Sequence, residues 1–327
     1  MRKHFFGYYE MTPEQFKKLW RNCIFVVDTN VLLDMYRMSP SAHDSLFRAL
    51  TAIKDRLWIP YQVAFEYHRK VTTVILEQIK KCKDVIGDSN QWVNKIMDGC
   101  QTKRSFPYLS EGLQSRIKQV AADIEQEIEN EKHDLEDLIT NNPTKDKIAD
   151  LLEGRLWDKL PDEKLNDIYS DGKRRYERKI PPGYGDLKNK QGIDVYGDLV
   201  IWEEMIAYAL TNKKDIIFIT SDTNKEDWFV KVAEKILGPR AELRMEFTER
   251  TKNQVYYAYS TATFLQYIDE YIPIPKISDK VIEEVASIIA DKTESVDSKT
   301  DSAEYNSGYT FIIGDLEDTE GSSCSES

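Results

Sequence analysis

Short, wholly apolar runs that stop abruptly on polar residues recur along this chain. Ile24-Phe25-Val26-Val27 ends at Asp28, and Ile216-Ile217-Phe218-Ile219 ends at Thr220-Ser221-Asp222. A run this brief, β-branched and aromatic with no polar alternate, is the pattern of a strand buried on both faces, as in the middle of a parallel sheet. Leu57-Trp58-Ile59, stopped by Pro60, and Val255 to Tyr259 read as two more strands. Elsewhere the apolar spacing changes to three and four. Thr12-Pro13-Glu14-Gln15 opens a helix that should end near Trp20, with Thr12 as cap, Pro13 in the first turn and Gln15 closing a capping box. Further helices are predicted near 30–38 and 41–54, and from about Tyr61, where Val63, Val71, Val74, Ile75 and Ile79 share a face. Others should start at Gly197-Asp198 and run over about 225–236, Pro239–Thr248 and Thr261–Tyr271. Strands alternating with helices imply an α/β fold with a central parallel sheet wrapped on both faces.

Residues 80 to 175 break this alternation. They are rich in Lys, Glu, Asp and Gln, carry helical spacing notably over Leu113 to Leu138, and show no strand signal, so we expect a mostly helical insertion. After Pro275 the composition shifts again: one helix is expected over Asp279–Ile289, followed by a Ser/Thr/Asp/Glu segment with the signature of disorder. Tyr309-Thr310-Phe311-Ile312-Ile313 is a β-prone island within it, suited to adding a strand to a partner or to the domain's own edge. The expected division is therefore residues 1–275 as one domain, with its insertion at about 80–175, and residues 276–327 as an acidic tail. No internal repeat is apparent.

With 327 residues and 41% apolar content the chain can bury a full core. It lacks the apolar run of a signal peptide or membrane span, and the expectation is a soluble, cytoplasmic protein without a membrane partner. Cys23, Cys82, Cys100 and Cys324 form no CxxC pair and only four histidines accompany them, which argues against a zinc site or a disulfide framework. The formal charge of −12 is unevenly placed: from Ile277 onward there are 13 acidic and 3 basic residues, a net of −10, so the body is nearly neutral. Within that body Asp171 to Lys190 carries seven basic against three acidic residues. With Tyr176 and Tyr184 interleaved, this stretch suits phosphates and a stacked base; it equally suits a solvated loop. The acidic tail complements it and could occupy it or engage a protein partner.

The polar ends of the strands bring chemistry into view. Parallel strands present their carboxyl ends on one side, where open α/β sheets bind ligands. Asp28 and Asp222 end two strands, Asp198 begins a helix entering the sheet, and Glu66 lies in the first two turns of the helix after the second strand. Each has a structural alternative: Asp28, Asp222 and Asp198 are good helix caps, and Glu66, beside His68 and Arg69, suits a surface acid. Four carboxylates converging on one crevice would repel one another unless a cation neutralised them. Oxygen ligands of this kind suit Mg²⁺ or Mn²⁺, which can acidify a bound water and stabilise an in-line displacement at phosphorus.

The segments VVDTNVLLDMYR, LWIPYQVAFEYHR, KIPPGYGD, YGDLVIWEEMIAYA and DIIFITSDTNKEDWF, in that order, resemble the PIN-like domains of the PIN_8 group, and the resemblance runs from about Phe6 to Tyr271. It implies a three-layer α/β/α sandwich with a central parallel sheet and, here, a large helical insertion. It also implies a Mg²⁺- or Mn²⁺-dependent phosphodiesterase, a nuclease most often acting on RNA and found in toxin or phage-defence settings. By position Asp28, Glu66, Asp198 and Asp222 take the metal-binding, catalytic places. Asn30 and Ser221 fall where polar side chains orient ligands or water, with Asp186 and Asp194 as further candidates. Lys173, Arg174, Arg175, Arg178, Lys179 and Tyr184 would hold the nucleic acid, single-stranded RNA in preference to DNA. Because PIN domains often pair, a homo-oligomer is also open. Two enzyme alternatives are weaker. A haloacid-dehalogenase phosphatase needs an Asp where Asn30 stands, and no strand is followed by GxGxxG or GxxxxGK[ST]. A non-catalytic binding module on the same scaffold is the remaining alternative.

Overall fold

The structure, a computed structural model, describes residues 1–101, 109–223, 227–232 and 235–297. In chain order these form α1 (Pro13–Asn22), β1 (Ile24–Val27), α2 (Thr29–Asp34), α3 (Pro40–Ala52), β2 (Leu57–Trp58), α4 (Tyr61–Gln101), α5 (Glu111–Thr140), α6 (Pro143–Leu152), α7 (Asp162–Glu177), α8 (Gly197–Asn212), β3 (Ile216–Thr220), β4 (Phe229–Val232), β5 (Lys235–Pro239), α9 (Ala241–Arg250), β6 (Tyr256–Ser260), α10 (Thr261–Tyr271) and α11 (Asp279–Asp297). The capping box at Thr12 and Gln15 forms with both hydrogen bonds present.

The central sheet runs β2-β1-β3-β6, all parallel. Every residue of β1 and β3 is buried, as unbroken apolar runs require of a sheet covered on both faces. Phe25 and Ile217 face one helical layer, where Trp20 of α1 packs on Phe25, Tyr259 and the rings of Phe264 and Tyr271 in α10. Phe218 faces the other, where it meets Trp228, which packs in turn on Trp202 of α8. Trp202 also meets Phe247 of α9 and Tyr256. The result is the expected α/β/α sandwich. Packing continues past Pro275: Ile277, Val281, Val285 and Ile289 are buried in the main core, and the Glu284 carboxylate accepts from the backbone N–H (2.6 Å) and hydroxyl (2.8 Å) of Ser39, the α3 cap.

The insertion is mostly helical over its described residues, with a non-helical link between α6 and α7. α4 continues unbroken for 41 residues and pairs with the 30-residue α5; Val93, Met97 and Ala121 with Ile117 form a small distal seam of their own. One strand-like contact enters it, a parallel bridge between Ile59 and Leu156.

The helix expected over 225–236 is replaced by a two-stranded antiparallel unit, β4 paired with β5, in register Phe229↔Pro239 and Val232↔Lys235 with a bulge after Val230. Trp228, Phe229, Val232 and Ile236 do carry helical spacing. Val230 and Val232 nonetheless favour a pleated strand, and pairing with Lys235–Pro239 gives that strand a partner. The island Tyr309–Ile313 lies outside the described residues.

Candidate active site

Strand order decides which acids meet. β1 and β3 are neighbours with Val27 opposite Ile219, and Asp28 N–H donates to the Ile219 carbonyl (2.9 Å). Asp28 and Thr220 therefore leave the sheet side by side at its carboxyl edge. The Thr220 hydroxyl donates to Asp28 Oδ2 (2.6 Å) and accepts from the Asp222 N–H (3.0 Å), tying both aspartates to one side chain. Asp28 Oδ1 accepts from Thr29 N–H (2.7 Å), so the capping role is real; it coexists with burial of the carboxylate, which is 5% exposed.

Glu66 and Asp198 arrive from two helices pressed together. Asp198 stands in the first turn of α8, directly after Gly197. A Cβ on Gly197 would lie 2.6 Å from Glu66 Oε1, so the glycine leaves the Glu66 carboxylate its place against the start of α8. The other wall is the KIPPGYGD loop, whose Gly183 (φ 91°) leaves no room for a Cβ between the Tyr176 hydroxyl and Asp198. Glu66 and Asp198 are each 9% exposed, and Asp222 is half-buried. The Asp28 carboxyl is pushed up to about 7, first by burial and then by Asp198, with smaller contributions from Asp222 and Glu66; the Thr220 hydrogen bond pulls the other way. All three other acids therefore act on Asp28 through their charge.

Several neighbours were not singled out in the sequence. Gln62 donates to Glu66 Oε1 (2.9 Å), and the Lys70 ammonium, one turn on, pairs with Glu66 Oε2. Buried Glu204 of α8 accepts from the Gln62 N–H (3.1 Å), anchoring the first turn of α4, and burial raises its carboxyl to about 8. Asp227, fully buried, accepts from Gly185 N–H (2.8 Å) and fastens the loop beside Asp198. Thr220, Gln62 and Lys70 had a signal in the sequence, at two residues from Asp222 and four either side of Glu66; Glu204 and Asp227 had none beyond being acids in apolar surroundings.

The remaining expected residues divide. Asn30 donates to Asp28 Oδ2 (3.4 Å) and belongs to the cluster. Ser221 is buried and shares a hydrogen bond with Thr261 (2.9 Å), tying β3 to α10. Asp186 is buried against Lys190 (2.5 Å). Asp194 is exposed and grips Arg69 through both oxygens (3.1 and 3.2 Å), which lowers its pKa. Of the basic stretch, Lys173, Arg174, Arg178 and Lys179 are exposed. Arg175 is a correction: it is 5% exposed, its guanidinium bound by both Glu246 oxygens (2.7 Å each) and the Pro181 carbonyl, so it ties α7 to α9 and offers no charge to a ligand. Tyr176 is likewise buried against Tyr196, while Tyr184 is half-buried.

An all-carboxylate donor set in which burial and the other three acids raise the affinity of Asp28 for a proton fits a hard divalent cation in kind. As positioned, however, no group of three acidic, histidine or cysteine side chains among the described residues is close enough to hold one; Glu66 is engaged by Lys70. Among the described residues no helix is long and apolar enough to cross a membrane. No curated protein and no solved structure matches the chain. The family model described as a PIN-like domain matches residues 24–243, which include every acid of the cluster and both strands that deliver them, and the chain therefore belongs to the PIN-like domain family.

Proposed function

We propose that this protein is a Mg²⁺- or Mn²⁺-dependent nuclease that hydrolyses phosphodiester bonds of single-stranded nucleic acid, RNA in preference to DNA, as an endonuclease. The observation that carries the reading is the buried Asp28 carboxyl at about 7, under the joint field of Asp198, Asp222 and Glu66 at the carboxyl edge of two adjacent parallel strands. A divalent cation held there would polarise a phosphoryl oxygen and acidify a water. Asp28 would be the fixed ligand, since Thr29 and Thr220 orient it; Asp198 and Glu66 would close from the helices and Asp222 from the open side. Glu66 would have to give up its contact with Lys70 to serve as a ligand. Lys173, Arg174, Arg178 and Lys179 would hold the strand's backbone.

A thermal melt with and without Mg²⁺ or Mn²⁺, on wild type and Asp28→Asn, tests metal binding: the ion should raise the wild-type Tm and leave the variant unmoved. Cleavage of labelled single-stranded RNA and DNA, with metal or EDTA, should then be lost in Asp222→Asn. The Lys70–Glu66 pair favours a second reading, a nucleic-acid-binding module without catalysis; strand binding without metal-dependent cleavage would establish it.

A further inference from the structure

β4 and β5 form a two-stranded sheet of their own. Phe229 and Pro239 are buried at its base, whereas Val230, Val232 and Leu237 are exposed, Leu237 by 64%. Two antiparallel strands alone are marginal in water; a third strand or more apolar cover stabilises them. This unit walls a cleft of 580 Å³, a size that suits a ligand, with Tyr8 and Tyr9 of the N-terminal segment opposite and Phe16 and Tyr257 between. Arg244 of α9 also lines the cleft. Its guanidinium donates to the backbone carbonyls of Gly7 (2.7 Å) and Tyr9 (3.1 Å), and no carboxylate among the described residues bonds to it. Burial lowers its pKa, with no acid to offset the effect. Glu242, on the same rim, is taken by Arg240 (2.8 Å). Lys235 of β5 is exposed and has no acidic partner among the described residues.

We infer that the chain's own C-terminal segment 309–320 occupies this cleft, its run Tyr309-Thr310-Phe311-Ile312-Ile313 covering Val230 and Leu237 and the acids after it meeting Arg244 and Lys235. Three features select this occupant. The run is β-branched and aromatic, which suits a pleated surface, and extended segments join small sheets by main-chain pairing. Asp315, Glu317, Asp318 and Glu320 follow it with no basic residue among them, so apolar cover and negative charge arrive together, as the cleft requires. The segment also reaches: from Asp297, the last described residue, to Tyr309 is about 40 Å of extended chain, against a radius of gyration of about 20 Å for a body of this length. Being tethered, it meets the cleft at an effective concentration on the order of millimolar. A nucleic-acid backbone is a poorer match, since the cleft is walled by apolar side chains and carries Glu10 and Glu242. The inference concerns the tail alone and stands whether or not the acidic cluster cleaves a phosphodiester.

Hydrogen exchange read by mass spectrometry on the full-length protein tests this, comparing wild type with Leu237→Asp and Phe311→Asp. Leu237 is exposed, so its replacement should leave the rest of the fold intact. In wild type the amides of residues 309–313 should exchange roughly tenfold or more slowly than in a free peptide of the same sequence, and both variants should lose that protection. Phe229–Val232 and Lys235–Pro239 should also exchange faster in Phe311→Asp, which changes no residue of the hairpin. Dilution of the protein should alter none of these rates. Peptide-like exchange of residues 309–313 in wild type would overturn the inference, as would protection that survives in Leu237→Asp. Protection that falls on dilution would overturn it too, by assigning the cleft to the tail of a second copy.

Discussion

Asp28→Asn should stabilise the metal-free protein at alkaline pH, although it alters a buried, hydrogen-bonded helix cap. Asparagine is close to an isostere of the protonated acid, so the comparison measures what ionising Asp28 costs in place. The carboxyl rises from an ordinary 3.8 to about 7. An acid whose folded pKa is raised contributes full stability below its unfolded pKa and loses it as pH climbs to the folded value. The wild type should therefore weaken progressively between about pH 4 and pH 7 and level off above, by a ceiling of about 4 kcal/mol at 1.36 kcal/mol per pH unit. The capping function is nearly unchanged, because Asn and Asp are comparable caps. Urea unfolding in EDTA at pH 4 and pH 8 checks this: Asp28→Asn should match wild type at the lower pH and exceed it by up to a few kcal/mol at the higher. Saturating Mg²⁺ should narrow the gap at pH 8, since an ion present at a hundred times its Kd adds about 2.7 kcal/mol to the wild type alone. If the variant is instead less stable than wild type in EDTA at both pH values, Asp28 is a satisfied cap, ionised and content, and the crowding of four acids is refuted.

Gly197→Ala should leave the fold within about 1–2 kcal/mol of wild type, because its Cβ meets the mobile end of Glu66 rather than backbone, yet it should abolish the metal-induced rise in Tm. Glu204→Gln should be near neutral at pH 4 and stabilising at pH 9, since burial holds this acid at about 8; Glu204→Leu, which strands the Gln62 N–H, should lose about 1–3 kcal/mol by urea unfolding. Arg175→Met should cost about 1–3 kcal/mol, because Glu246 and the Pro181 carbonyl lose its guanidinium while Glu246 keeps Arg250 (3.0 Å), with little direct effect on RNA affinity in whatever protein remains folded. The triple change Lys173→Ala, Arg178→Ala, Lys179→Ala should do the opposite, keeping Tm within about a degree while weakening RNA binding and flattening its salt dependence.

The contrast between Arg175 and its exposed neighbours marks where sequence reading stops. Buried strands, the Thr12 capping box and α10 are local properties of pattern, and Thr261–Tyr271 forms over the span that its spacing predicts. A side chain's direction on a helix is also periodic, but the sequence does not say which arc of α7 faces the body. Arg175 and Tyr176 lie on that arc, and Arg174 and Lys173 lie off it. The same ambiguity produced the helix expected over 225–236. Apolar residues there satisfy a helical period, and the choice fell to the pairing of β4 with β5, a contact between segments that no local rule contains.

For the acids, the sequence reveals that strands end in carboxylates, and parallel geometry sends those ends to one edge. It does not reveal that β1 and β3 are adjacent, and adjacency is what lets Thr220 touch both Asp28 and Asp222. Nor does spacing disclose that Gly197 brings α8 onto Glu66, or that Lys70 reaches the same carboxylate. These contacts give the cluster its two opposing features: crowding that favours a divalent cation, and an internal ammonium that partly relieves the crowding without one. Lys70 is 45% exposed and can leave for solvent at small cost, whereas Asp28 is buried and cannot move away from Asp198. Under the proposed function, exchange of a mobile ammonium for a fixed ion would be the step on which metal affinity turns, and Lys70→Met should expose it: Glu66 would keep only the Gln62 donor, the metal-free protein should lose stability, and the midpoint for Mg²⁺ in a Tm titration should fall below that of wild type. A midpoint that rises would mean that Lys70 helps assemble the cluster instead of competing for it.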